Sequence, residues 1–297
     1  MGQKINPTIF RLELKNNLWK TKYFGKNIEE SAFYNYQNLE IQKYFKIFLN
    51  RTGLILHNYK LEYNLNNIKI FISYCSKLKL EFFFKNNTLK KIKFKKLKKK
   101  LLNKYYKFYL YKNLKNKNLL KKNNFLQQFL EILSLFAFKV STVLVKFQNL
   151  NKNLFFKLSR IEQTDLKKKL FLLRKFVKKT FFKEVLNIVF LVMRFKNSAT
   201  LLADIISNVL KKMKKHNFFL IFLKYILFLF LNSKFCRISG IKINIKGKLN
   251  NLSRAKNKII SIGLFSTQSI TSNVNYCEKT VILINGSLTV KVWVHQK

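Results

Sequence analysis

The chain is poor in acidic residues, cysteine and histidine, and each shortage excludes a class of function. Only 12 of its 297 residues are Asp or Glu, and they are scattered, so no carboxylate pair suggests general acid–base catalysis. The three cysteines are odd in number and far apart, which predicts no disulfide framework. There are three histidines and neither a CxxC nor an HxxxH spacing, so the sequence does not favour a structural zinc site.

Glycine-rich nucleotide-binding motifs are missing as well. The chain has seven glycines and one proline, and it contains no P-loop, nucleophile elbow or dinucleotide fingerprint. We therefore expect a protein that is not an enzyme and that needs no cofactor. The scarcity of glycine and proline beside abundant Lys, Asn, Phe and Ile indicates an A/T-rich genome, as organelles often have.

Positive charge is what the chain has in excess. Sixty Lys and Arg residues give a formal net charge of +48 at pH 7. Self-repulsion on this scale predicts that a polyanion neutralises the protein in its working state. Hydrophobic residues make up 48% of the chain, which is enough for a folded core and too much for a disordered basic tail. Nucleic acid is the first candidate partner, and an anionic membrane surface is the second.

One strongly apolar stretch, from Asn217 to Asn232, raises the question of a membrane segment. It is shorter than the roughly 20 residues that span a bilayer. It also has Lys224 at its centre, where a charge is costly within a membrane. We predict a buried core helix here and no membrane partner.

Hydrophobic spacing predicts alternating helices and strands. A helix is expected over Leu39–Leu49, followed by strands over Tyr59–Asn64 and Asn67–Cys75. A long helix is predicted over Thr164–Phe182 with Thr164 as its N-cap, and a buried strand over Val185–Phe195. The rest reads as helices over 198–215 and 217–232 and strands over 240–249, 269–276 and 287–297, with a basic connector after the first of these strands.

Residues 76–158 differ in character from the flanking segments. The stretch from Lys90 to Lys122 contains fifteen lysines and no acidic residue, which is typical of a solvated or disordered interaction segment. Aromatic residues are interleaved with these lysines. They would either stack on bases or pack on a helix face, and the sequence leaves both readings open.

Both ends of the chain resemble one protein family. The start, MGQKINPTIFRL, resembles the first residues of the small-subunit ribosomal protein 3 family, whose members begin MGQK, then I or V, N or H, and P. The stretches Gly240–Lys256 (GIKINIKGKLNNLSRAK) and Val274–Val294 (VNYCEKTVILINGSLTVKVWV) resemble the family's C-terminal domain. Between the two ends, NSATLLADIISNVLKK resembles the family's L-A-D-x-I helix. The pattern is that of the long organellar form with an insertion.

The resemblance implies an α+β fold: a type II KH-like domain of order α-β-β-α-α-β, split by a lysine-rich insertion and followed by a C-terminal α/β domain. The implied boundaries are an N-terminal arm over 1–37, the first KH-like part over 38–75, the insertion over 76–158, the second KH-like part over 159–196, and the C-terminal domain over 197–297.

The implied function is that of a structural constituent of the small ribosomal subunit. The family lies in the head of the subunit, near the site where messenger RNA enters. Small-subunit rRNA and neighbouring head proteins are the expected partners, and messenger RNA is a weaker one. We expect an organelle, the mitochondrion (matrix, mitochondrial ribosome) rather than the plastid. A basic organellar RNA-binding or maturase-like protein outside the ribosome remains the alternative.

The chain departs from the family pattern at two RNA-binding motifs. A KH domain grips RNA backbone through a GXXG loop, but the stretch before Thr164 reads KLSRIEQT. The family's R-R-x-x-K patch corresponds to Phe219–Lys224, which retains Lys224 but has Leu220 and Ile221 in place of the arginines. Lysines nearby lack arginine's bidentate fork, so any gripping or unwinding of RNA is expected to be weak.

Candidate RNA contacts are therefore the basic residues that reach phosphates without reading sequence. They fall into an N-terminal arm, the lysine-rich run, a helix end with Lys224, and the connector between C-terminal strands. The candidates are Gln3, Lys4, Arg11, Lys95, Lys96, Lys98, Lys99, Lys100, Lys211, Lys212, Lys214, Lys215, Lys224, Lys246, Lys248, Arg254, Lys256 and Lys258.

Overall fold

The fold is described from a computed structural model for residues 5–11, 20–25, 27–64, 67–76, 127–133, 142–150, 159–194, 199–233, 235–250, 257–284 and 286–296. These residues form a mixed α+β structure with two four-stranded sheets. The sheets belong to two compact units. The N-terminal unit holds the described residues within 20–75 and 127–149, and the C-terminal unit holds those within 5–11 and 150–296.

The N-terminal unit is built on a sheet of order β1-β2-β3-β4. Its elements are β1 (Thr21–Lys22), α1 (Ile28–Arg51), β2 (Leu54–Tyr63), β3 (Asn67–Ser76) and β4 (Thr142–Asn149). Strand β3 follows β2 closely in sequence, and the Asn64 amide donates to the Asn67 carbonyl over 2.9 Å. β4 pairs in parallel with β3. Parallel neighbours need a crossover connection, and residues 127–133 form a helical part of it.

Helix α1 covers this sheet with one apolar face. Ile41, Phe45 and Leu49 recur every four residues and are buried, as helical spacing requires. The helix is longer than predicted because it begins at Ile28, with two glutamates in its first turn that favour the positive end of the helix dipole. Phe129 of the helical segment is completely buried, with its ring centroid 4.9 Å from that of Phe48.

The C-terminal unit begins its helices with α2 (Arg160–Leu172), and a short 3₁₀ turn follows it at Leu173–Phe176. Ser159 is the N-cap: its hydroxyl accepts from the Glu162 amide at 3.3 Å, and the Glu162 carboxylate accepts from the Ser159 amide at 2.8 Å. The prediction of Thr164 as N-cap is therefore wrong, because Ser159 and Glu162 satisfy the free amides one turn earlier.

The strand predicted over Val185–Phe195 is also wrong, because Phe182–Arg194 forms helix α3. Every residue from Val185 to Met193 is buried, and Asn187 is the one polar residue among them. This nearly continuous apolar run favoured a buried strand, although Lys183, Asn187 and Arg194 recur at helical spacing. The helix packs against α4 (Ala199–Lys212) and α5 (Asn217–Leu231), both of which were predicted. Packing against these two helices explains why most of this segment is apolar.

The sheet of the C-terminal unit has the order β6-β5-β8-β7, and all its pairs are antiparallel. The strands are β5 (Ile238–Gly247), β6 (Asn257–Gly263), β7 (Val274–Leu283) and β8 (Gly286–Gln296). A basic connector was predicted over the residues of β6, because its three isoleucines lie among polar residues. Helix α4 packs on β7 and β8, and α5 packs on β5 and β6.

Alternation along the two central strands separates a core face from an open face. Buried isoleucines and valines of β5 and β8 point to the helices, and they are Ile241, Ile243, Ile245, Val290, Val292 and Val294. Their neighbours in sequence, among them Lys242 and Trp293, occupy the opposite side. This side, which we call the open face, carries polar and aromatic side chains.

The compact units group the chain differently from the predicted domains. The predicted arm over 1–37 is divided between the two units, and residues from Ile28 on belong to helix α1. Strand β4, predicted within the insertion, completes the N-terminal sheet. Residues 159–194, predicted to close the KH-like domain, belong to the C-terminal unit because α3 packs with α4 and α5. None of the described helices is long and apolar enough to cross a membrane.

Candidate RNA-binding surface

Four of the predicted RNA-contact lysines lie at the turn between α4 and α5. The apolar positions of α4 are buried, and the helix ends with Lys211 and Lys212, whose charge suits the negative end of the helix dipole. Lys214 and Lys215 follow in the turn itself. All four are exposed to solvent.

Two asparagines attach the segment after β5 to this turn. The His216 amide donates to Oδ1 of Asn250 over 2.7 Å, and Nδ2 of Asn250 donates to Oδ1 of Asn217 over 2.7 Å. Nζ of Lys258 donates to the same Asn217 oxygen over 2.6 Å. Asn250 has a φ of 49°, a left-handed conformation that asparagine tolerates better than most residues.

These hydrogen bonds bring together basic residues that are distant in sequence. Lys258 is bonded to Asn217 at the end of the α4–α5 turn, and Lys248 lies two residues before Asn250, which is bonded to the same turn. We call this set the lysine cluster, and it comprises Lys211, Lys212, Lys214, Lys215, Lys248 and Lys258. Among the described residues, Glu184 of α3 forms an ion pair with this cluster. Its carboxylate lies 3.5 Å from the ammonium of Lys212.

Buried residues beneath the lysine cluster fix its shape. His216 is only 4% exposed, and its Nε2 lies 3.2 Å from the Leu210 carbonyl oxygen, which identifies Nε2 as the protonated nitrogen in that hydrogen bond. Leu249 is 2% exposed and anchors the other side next to Asn250. The lysines thus project from a turn whose backbone is held by packing and by hydrogen bonds.

Two further predicted residues lie in the same unit. Lys224 is exposed on α5, seven residues after Asn217 and therefore on the same side of the helix. Lys246 is exposed near the end of β5 and belongs to the open face. In the stretch that replaces the family's arginine patch, Leu220 is buried and Ile221 is exposed.

Arg11 does not have the predicted role. Its side chain is 8% exposed; Nη1 donates to the Pro7 carbonyl at 3.0 Å, and Nη2 donates to the carbonyls of Thr267 and Ser269 at 2.8 Å each. The prediction that Arg11 is available for phosphates is wrong because its donors are directed into the C-terminal unit. The sequence offers no sign of this, since two of the three carbonyls belong to residues more than 250 positions away.

The other predicted contacts lie outside the described residues and stay predictions. They are Gln3, Lys4, Lys95, Lys96, Lys98, Lys99, Lys100, Arg254 and Lys256. The KLSRIEQT stretch that replaces the GXXG loop includes the capping box of α2, in which the Ser159 and Glu162 side chains bind the start of their own helix. Within the described part of the chain, no group of histidine, cysteine and acidic side chains is placed to hold a metal ion.

Sequence reasoning missed three kinds of residue at this surface. The asparagines Asn217 and Asn250 and the buried His216 position the lysines, and no sequence motif marks them. Trp293 and Tyr276 lie side by side on the open face, with ring centroids 5.2 Å apart. Trp293 lies between Val292 and Val294 in β8. If these valines face the core, strict alternation along the strand places Trp293 on the opposite side, so the sequence could have predicted its position.

Comparison with known proteins gives short partial matches. No protein-family model matches the chain. It is 37% identical over 65 residues to the small ribosomal subunit protein uS3c of Chara vulgaris, which covers 22% of this chain and 30% of the relative. It is 39% identical over 59 residues to uS3c of Marchantia polymorpha (20% and 27%) and 33% identical over 60 residues to uS3c of Tetradesmus obliquus (20% and 9%).

The matches span less than a third of each relative, and they support a relation to the uS3 family. These relatives are named as proteins of the small ribosomal subunit. The relatives are chloroplast forms, so the predicted mitochondrial location is contradicted: the comparison points to plastid ribosomes. An A/T-rich composition indicated an organelle, and nothing in it distinguishes one organelle from the other.

Proposed function

We propose that the protein is a structural, non-catalytic component of the small ribosomal subunit of a plastid, where it binds small-subunit rRNA. The lysine cluster is the observation that carries this proposal. It joins two basic segments more than 30 residues apart through the Asn250–His216 and Asn250–Asn217 hydrogen bonds. Exposed ammonium groups on a fixed turn can bind RNA phosphates whatever the base sequence. A structural rRNA contact requires this kind of binding.

The charge of the whole chain supports the same partner. A net charge of +48 is tolerated when the protein is embedded in a polyanion, and rRNA is the polyanion of a ribosomal subunit. The chain offers no constellation for catalysis in its sequence. We assign the protein an architectural role for these reasons.

The N-terminal unit is proposed to be the KH-like domain, with β4 as its third strand. The order of α1, β2, β3, the helical segment 127–133 and β4 fits that reading. The lysine-rich segment then lies between β3 and β4. Without a GXXG loop, this unit would contribute by packing rather than by gripping a single strand. Neighbouring proteins of the subunit head, and more weakly messenger RNA where it enters, would be its other partners.

Sedimentation of an organelle lysate tests the proposal. The tagged full-length protein should migrate with small subunits in a sucrose gradient and leave them as salt is raised, because phosphate contacts release counterions. Replacing Lys211, Lys212, Lys214 and Lys215 by alanine should lower the salt concentration at which it leaves. Steady migration away from small subunits would refute the proposal and favour an RNA-binding or maturase-like protein outside the ribosome.

A further inference from the structure

The open face of the C-terminal sheet is a second surface with a built arrangement of side chains. Strand pairing places Lys242, Trp293 and Tyr276 in one row across β5, β8 and β7. The next row is Asn244, Lys291 and Glu278, and Lys246 begins the row after it. The helices of the unit pack on the other side, where the valines and isoleucines are buried.

The aromatic pair at the centre of this face does not serve the core. Trp293 lies on β8, an inner strand of the sheet, and its outward position is flanked by Val292 and Val294 pointing to the helices. Its ring centroid is 5.2 Å from that of Tyr276, with the planes tilted by 45°. Aromatic side chains on the outer face of a sheet are the platform on which unpaired bases stack.

Positive charge borders the aromatic pair. The ammonium of Lys242 lies 5.8 Å from the ring centroid of Trp293 and 5.8 Å from that of Phe265. The single carboxylate of these rows, Glu278, accepts from the Tyr276 hydroxyl at 2.7 Å and lies 3.2 Å from the Lys291 ammonium. Lys242, Lys246 and Lys291 bring three positive charges to the open face, and Glu278 brings one negative charge. The open face is therefore complementary to phosphate.

The mixture of side chains favours RNA over a protein as the occupant. Lysine is depleted at the centre of protein–protein interfaces, whereas single-stranded nucleic acid is held by lysine and aromatic residues together.

We propose that the open face binds single-stranded RNA, with a base stacked on Trp293 and Tyr276 and the flanking phosphates on Lys242, Lys246 and Lys291. The inference rests on the proposed function, since it names the form of RNA that the protein holds at a surface separate from the lysine cluster. No group is transferred and no bond is broken in this step.

Tryptophan fluorescence gives a direct test, because Trp19 and Trp293 are the two tryptophans of the chain. In full-length protein carrying Trp19→Phe, Trp293 is the sole reporter. An eight-nucleotide oligouridylate should quench its emission as it binds. An abasic oligomer of the same length, which keeps the phosphates, should bind at least about fivefold more weakly and leave the emission unchanged.

Substitutions give the second measurement. Trp293→Leu and Tyr276→Leu should each weaken oligouridylate binding at least about fivefold while leaving binding of the abasic oligomer nearly unchanged. Tyr36→Leu is the matched control, because Tyr36 is 65% exposed on α1 of the other unit, and it should leave both affinities unchanged. The quenching experiment uses no substitution on the open face. It therefore tests the inference even if the Trp293 or Tyr276 variant fails to fold.

The outcomes separate this inference from the proposed function. Equal affinity for the two oligomers with constant Trp293 emission overturns the inference and leaves the face to a protein partner. Quenching by oligouridylate in a protein that does not sediment with small subunits supports the inference and refutes the ribosomal role.

Discussion

Nη2 of Arg11 donates a 2.8 Å hydrogen bond to the carbonyl oxygen of Thr267, which lies 256 residues further along the chain. The same nitrogen reaches the Ser269 carbonyl, and Nη1 reaches that of Pro7. A guanidinium can satisfy three carbonyls at once because its donors have a fixed planar geometry. The residue therefore fastens the beginning of the chain to the segment between β6 and β7.

Replacing Arg11 should destabilise the C-terminal unit. We expect Arg11→Ala to lower its free energy of unfolding by about 2 kcal/mol, since buried hydrogen bonds from a charged group are lost. Arg11→Lys should recover only part of this, because an ammonium cannot match the fork. Urea unfolding followed by Trp293 in a Trp19→Phe background measures it. Arg51→Ala, an exposed arginine at the end of α1, is the control, and equal effects from both would contradict the assigned role.

Asn250 should stabilise the C-terminal unit both through its side-chain hydrogen bonds and through its left-handed backbone conformation. Asn250→Gly keeps the positive φ but loses the hydrogen bonds to His216 and Asn217, which should cost about 1 kcal/mol. Asn250→Ala should cost about 1 kcal/mol more, because a left-handed conformation is unfavourable for alanine. Thermal unfolding of the two variants compares them, and a more stable alanine variant would show that the left-handed turn is not required.

The lysine cluster should control how RNA binding depends on salt. Replacing Lys214 and Lys215 by alanine should reduce the slope of log K against log salt by about 2 for a small-subunit rRNA fragment, because each phosphate contact releases about one counterion. Lys43→Ala with Lys46→Ala is the charge-matched control on the exposed side of α1. An identical decrease in slope from both pairs would mean that binding reflects net charge alone.

Acid should weaken the C-terminal sheet through Glu278. The hydroxyl of Tyr276, and then the ammonium of Lys291, hold the pKa of the Glu278 carboxyl below its ordinary value of 4.5. A lowered pKa in the folded state stabilises the fold above pH 4.5, and this contribution is lost as the pH falls through the folded-state pKa.

The comparison that isolates this contribution is with Glu278→Gln. The difference in unfolding free energy between wild type and variant should be largest near pH 6 and should shrink below about pH 4.5. Tyr276→Phe, which removes the donor, should reduce the pH-dependent difference in the same way. A difference that is independent of pH between 3 and 6 would be inconsistent with the hydrogen bond.

Phe129 should be the residue that fixes the helical segment 127–133 onto the N-terminal sheet. Its ring lies 5.7 Å from that of Phe45 and 5.3 Å from that of Phe147, so Phe129→Ala should leave a cavity costing about 3–5 kcal/mol. Hydrogen exchange of the β2 and β3 amides measures the loss. Ile132→Ala in the same segment, 37% exposed, should cost less than about 1 kcal/mol. Comparable losses in the two variants would argue against a core role for Phe129.

Local patterns predicted those elements whose two sides differ. Helix α1 and strands β2 and β3 were expected because their apolar residues repeat with a clear period, and α4 and α5 were expected because they form long apolar segments. Helix α3 was mistaken for a strand, since its apolar run is nearly continuous and Asn187 is the one polar residue between Val185 and Met193. Strand β6 was missed because polar residues at its ends resembled a connector.

The candidate RNA-binding surface, too, was predicted only in part from the sequence. The prediction that lysines carry RNA binding rests on composition, and the lysines at the end of α4 were identified by position alone. Their meeting with Lys258 required the hydrogen bonds of Asn217, which no sequence pattern marks. Arg11 looked like one more surface charge until its carbonyl partners were known.

The sequence by itself determined that the protein is strongly basic and has enough hydrophobic residues for a folded core, because these properties depend on residue content and local spacing. Only the tertiary structure decided that β4 completes the first sheet, that Arg11 is buried, and that Trp293 stands with lysines on an open face. Each of these depends on contacts between residues far apart in the chain. Such contacts are fixed by strand register and packing, and the local order of residues does not specify them.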